Sequence, residues 1–80
     1  MSDLVAIVKA TRQSAAALKR AQAWNRAALQ AEREMNAADR AGFPASAESA
    51  HSRMMQALRL REENMARHER ARAFLDSNPI

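Results

Sequence analysis

The sequence predicts an all-α fold: an antiparallel two-helix hairpin (helical hairpin) that dimerises into a four-helix bundle. Three observations carry this expectation. The only glycine, Gly42, and one of the two prolines, Pro44, sit together near the middle of the 80 residues, in "RAGFPASAES". On either side, long stretches contain no residue that breaks a helix. Along the first of them, small residues recur alternately three and four apart, the spacing of a helix seam. The chain reads as one domain, 1–80, with helix 1 over about 3–41, a turn at 42–45 and helix 2 over about 46–77.

Helix 1 opens at Ser2 or Asp3, whose short side-chain oxygens can accept the free amide protons of a first turn. At 1.5 Å per residue its length is about 58 Å. Gly42 stands where a left-handed closing residue belongs. Pro44 cannot continue the hydrogen-bond ladder, and it pushes Phe43 toward an extended conformation. Ser46 then reads as the cap of helix 2, with Glu48 near its positive end. The second helix is expected to stop at "SNP".

The seam of helix 1 comprises Ile7, Ala10, Ser14, Ala17, Ala21, Trp24, Ala28, Ala31, Met35, Ala38 and Gly42. Most of these are small, which lets two backbones approach more closely than leucine would. The same register on helix 2 selects Ala47, Ala50, Met54, Ala57, Arg61, Asn64, His68, Ala71 and Leu75, with Leu58 and Met65 to one side and Leu60 and Phe74 to the other. If the turn closes at 43–45, residue i faces residue 88 minus i. Trp24 then falls beside Asn64 and His68, where its N–H could find an acceptor. Arg61 is expected to lay its stem on apolar surface and send its head to solvent or a carboxylate. Arg59–Glu63, Glu63–Arg67 and Glu69–Arg72 are spaced to pair along the outer face of helix 2.

Composition limits what such a hairpin can bury. Hydrophobic residues make up 48%, but twenty of them are alanines, which favour helix and add little buried area. Chains this short generally need disulfides, metal or association to be stable, and there is no cysteine. A second apolar ridge beside the seam, Leu4, Val8, Thr11, Leu18 and Leu29, cannot be covered by the same partner helix. Together with Met54, Leu58 and Met65 on helix 2, it is the expected dimer or partner interface.

The net charge is +4, and arginine supplies eleven of the thirteen bases. Arg12, Lys19, Arg26, Arg33 and Arg40 recur every seven residues as an outward row. The imbalance lies in residues 1–31, which hold five bases, Lys9, Arg12, Lys19, Arg20 and Arg26, against Asp3 alone. A uniformly basic surface favours an acidic partner.

No catalytic motif or family signature stands out, so the chain is expected not to be an enzyme and to need no cofactor. Ser46, Ser49 and Ser52 lie near His51, but a hairpin supplies neither an orienting group nor an oxyanion pocket. Glu48 and His51 have the Glu-x-x-His spacing of di-metal bundles. Capping accounts for Glu48 better, and no metal site is expected. The opening "MSDLVAIVKATRQ" does not show a basic region followed by an apolar core of signal-peptide length, and no apolar run approaches roughly 18 residues. The expected location is therefore cytoplasmic, and membrane adsorption is disfavoured because the alanine seam offers only Trp24 as an aromatic anchor.

These readings converge on a small protein-binding module of a build common among bacterial and phage regulators: an adaptor, assembly chaperone or inhibitor working by helix–helix contact. Its expected partners are a second copy of itself and another protein with an acidic or apolar helical surface. The alternative is nucleic-acid binding through the basic half of helix 1.

Overall fold

A computed structural model describes residues 3–78. Two helices, α1 (Leu4–Ala41) and α2 (Pro44–Ser77), pack against each other as a hairpin measuring 62 × 14 × 13 Å. No strand occurs among the described residues. Ser2, one of the two expected caps of helix 1, and Pro79 of "SNP" lie outside them.

Asp3 caps α1, its carboxylate accepting the Val5 N–H at 3.0 Å. At the other end Gly42 adopts φ 78°, ψ 32°. The Phe43 N–H donates to the Ala38 carbonyl at 2.9 Å, and the Gly42 N–H to that of Asp39 at 3.2 Å. This is the Schellman closure, which satisfies two of the carbonyls a helix end leaves free. A Cβ added at Gly42 would meet no atom within 4 Å, so the constraint is backbone conformation alone. Gly42→Ala is therefore expected to cost about 1 kcal/mol. A drop in melting temperature by circular dichroism, with helix content preserved, checks it.

α2 begins two residues earlier than the sequence indicates. Pro44 is its first residue, Phe43 occupies the cap position without a side-chain hydrogen bond, and the Ala47 N–H donates to the Phe43 carbonyl at 3.0 Å. Proline breaks a helix interior, but its fixed φ and missing N–H suit the first position. Ser46 is thus inside the first turn rather than capping it. Glu48 falls in the second turn, beyond the strongest part of the helix dipole.

The core is a zipper of small side chains. Its buried apolar residues are Ile7, Ala10, Ala17, Ala21, Ala28 and Ala31 from α1 and Ala47, Ala50, Ala57 and Ala71 from α2. Ser14 and Asn64 are buried with them. Every one of these positions belongs to the 3–4 pattern. Trp24 shares that phase yet stands 37% exposed, and its indole N–H makes no hydrogen bond among the described residues. An indole inside the seam would wedge apart backbones that the neighbouring Ala21 and Ala28 hold close.

Three polar links cross the seam at different heights. Nearest the turn, Arg53 meets Glu34 at 2.7 Å. Midway, Arg61 Nη1 donates to Asn25 Oδ1 at 2.8 Å, so its head finds an amide oxygen rather than solvent or a carboxylate. Toward the open end, His68 Nδ1 lies 3.0 Å from the Ser14 carbonyl and 2.8 Å from Ser14 Oγ. A carbonyl only accepts, so the Ser14 carbonyl contact is a hydrogen bond in the tautomer that carries its proton on Nδ1. The first two links follow the 88-minus-i pairing within two residues. At the open end Ser14 meets His68 instead of the level of Phe74, so the pairing drifts there.

Of the surface pairs read from spacing, Arg59–Glu63 reaches 4.0 Å, while Glu63–Arg67 and Glu69–Arg72 do not form. The hydrogen bond from Arg53, reinforced by one from Gln30, holds the Glu34 carboxyl below its ordinary range. A lowered folded-state value stabilises the fold above the ordinary carboxylate range and is lost as pH falls through the folded value. Melting temperatures of the parent and Glu34→Gln are therefore expected to differ at neutral pH and to converge in acid.

Candidate functional site

The seam divides the surface of the hairpin into two flanks of different chemistry. The first is apolar. On α1, Leu4, Val8, Thr11, Leu18 and Leu29 fall on one side of the seam, and on α2 Met54, Leu58 and Met65 fall on the same side, because antiparallel helices place like flanks together. Leu4 is 63% exposed, Val8 48% and Leu29 47%, while Leu18, Met54, Leu58 and Met65 are half-buried. α2 ends at Ser77, about level with Val5 on the Ser14–His68 pairing, so Leu4 lies at the open end of the hairpin. Thr11 is exposed, and its hydroxyl donates to the Ile7 carbonyl at 2.9 Å, turned back onto its own helix.

The second flank is a groove of about 840 Å³ between the N-terminal half of α1 and the C-terminal half of α2. Lys9, Arg12 and Arg20 line it from α1, Arg67 and Arg70 from α2, and no acidic residue contributes. Its floor is alanine: Ala10, Ala17 and Ala71 are buried, and Ala6 and Ala16 continue the surface. Phe74 stands at the open end, 39% exposed.

No protein-family model, curated protein or solved structure matches the chain.

The five bases singled out in the sequence do not form one surface. Lys9, Arg12 and Arg20 share the groove. Arg26 lines a smaller cleft on the apolar side with Gln22, Asn25, Arg61 and Met65. Lys19 is exposed and lines neither. Sequence reasoning missed Arg67 and Arg70, because charge was weighed helix by helix. The signal was available: 67, 70 and 74 follow a helical stripe beside the seam, and antiparallel pairing brings that stripe against Ala6, Gln13 and Ala16.

His51 is exposed, as are Ser46, Ser49 and Ser52, and none hydrogen-bonds to another of them. Glu34, one carboxylate that a bundle metal site would recruit, is engaged by Arg53. Among the described residues, no three His, Asp or Glu side chains converge as a group able to hold a metal ion. No helix among them is long and apolar enough to cross a membrane.

Proposed function

We propose that this chain is a non-catalytic protein-binding module, acting through helix–helix contacts as an adaptor, assembly chaperone or inhibitor, and that a second copy occupies its apolar flank to complete a four-helix bundle. The observation that carries this reading is where the large apolar side chains lie. Alanine fills the seam, leaving Leu4, Val8, Leu18, Leu29, Leu58 and Met65 on the outside or at the edge.

Area supports the same reading. A globular monomer of 8.9 kDa exposes about 4,800 Å². This hairpin exposes 5954 Å². The excess, about 1,100 Å², is on the scale of the roughly 800 Å² each partner loses in a standard interface. Two copies joined by their apolar flanks would remove the leucines from water and leave both basic grooves facing outward. Sedimentation equilibrium tests the assembly. The expected mass is twice 8.9 kDa, and a stable monomer throughout the accessible concentration range would refute it.

A further inference from the structure

We infer that the basic groove binds an acidic, amphipathic α-helix of another protein, laid along the hairpin as a third helix. This goes beyond the dimer, since the groove lies on the opposite side of the seam from Leu18, Leu29 and Leu58. The groove has two requirements. Its rims carry Lys9, Arg12, Arg20, Arg67 and Arg70 with no acid among them, so they call for carboxylates on both sides of the occupant. Its floor is alanine, closed at the open end by Phe74, and calls for apolar side chains between those carboxylates. From Ala6 to Arg20 the floor runs about 21 Å, or four turns of a guest helix. Trp24 follows one turn beyond Arg20, past the residues that line the groove.

Nucleic acid meets only the first requirement. A phosphate backbone would satisfy the rims and leave the alanine floor uncovered, and Phe74 is the only aromatic side chain lining the groove on which a base could stack. A second copy of this chain fits no better. Its acidic pairs are interrupted or flanked by arginine, as in Glu32-Arg33-Glu34 and Arg61-Glu62-Glu63, and Glu34 is already held by Arg53. A helix with leucine at i, i+3, i+4 and i+7 and glutamate on both flanks meets both requirements at once.

The test titrates the 80-residue chain into a labelled synthetic helix of that pattern, a scrambled peptide of equal composition, and a single strand and duplex of about 20 nucleotides, with fluorescence anisotropy as readout. The patterned helix is expected to bind at least tenfold tighter than its scramble and to weaken with added salt. Its binding should perturb the fluorescence of Trp24, the chain's only tryptophan. Charge reversal by Arg67→Glu with Arg70→Glu should weaken it at least tenfold while leaving helix content and sedimentation mass unchanged. If the double variant loses helicity, Arg67→Gln with Arg70→Gln supplies the same comparison. Equal binding of helix and scramble, tighter binding of either oligonucleotide, or no binding up to about 1 mM peptide overturns the inference. Sedimentation mass separates it from the dimer: a monomer that binds the helix defeats only the dimer, and a dimer that ignores it defeats only the groove.

Discussion

Replacing Leu58 with aspartate is expected to halve the solution mass, leaving a species of 8.9 kDa. Leu58 is half-buried at the edge of the hairpin, near the level of Leu29, which is 47% exposed. In a bundle of two hairpins these side chains would lie inside the new interface. A carboxylate there would have to be desolvated with no base designed to meet it, at a cost of several kcal/mol. The part of the leucine still exposed in the hairpin would have contributed a fraction of the about 1.5–3 kcal/mol of full burial. Those effects act in both copies, so the association constant should fall beyond detection. Leu18→Asp tests the same flank from α1. Lys19→Gln, one residue away on an exposed outer position, changes the net charge by the same single unit and should leave the mass unchanged. A Leu58→Asp protein that sediments like the parent would remove the apolar flank as an interface. If the variant instead loses its helicity, a parent melting temperature that rises with concentration would identify assembly as the source of the hairpin's stability.

How much of this molecule is written in its sequence depends on which physical signal is asked for. The hairpin is legible because helix periodicity and the Gly42 closure are local and agree with each other. The buried set is legible too, since an alanine seam with 3–4 spacing admits one inward face. Two exceptions are informative. Pro44 reads as a loop residue until its position in the helix is known, because its geometry is prohibitive in an interior and favourable at the start. Trp24 has the phase of the seam but not the size, and size decides.

Register is the weakest inference from sequence, and the alanine zipper is the reason. Small side chains meet equally well one turn up or down, so shape alone does not fix the alignment. Glu34–Arg53, Asn25–Arg61 and Ser14–His68 distinguish one alignment from the next. Asn64, at a seam position, supplies no such link and carries a cost. Its Nδ2 donates to the Leu60 carbonyl at 2.8 Å, while its buried Oδ1 has no hydrogen-bond partner. The groove was hidden for a related reason: its bases come from chain segments some fifty residues apart and become one surface only through antiparallel pairing.

The close approach of the helices makes the seam intolerant of size, and Ala21→Leu should expose this most sharply. Ala21 is 2% accessible and lies midway along the zipper. Three added carbons have no void to fill in so narrow a hairpin. Either the backbones separate, stripping contacts from Ala17 and Ala28 one and two turns away, or the leucine is forced off its rotamer. Overpacking of this kind typically costs about 1–3 kcal/mol. In a domain of this size each kcal/mol lowers the melting temperature by about 4–8 °C. The direction distinguishes this seam from a leucine-based coiled coil, where leucine at a core position is stabilising. An exposed alanine on the outer face, Ala37→Leu, supplies the control and should change little. The separated helices should also disturb Asn25–Arg61, the link next along the seam, so Ala21→Leu combined with Asn25→Ala should lose less than the sum of the single changes. Full additivity in that cycle, or a melting temperature at or above that of the parent, would mean that the helices are not held at alanine distance.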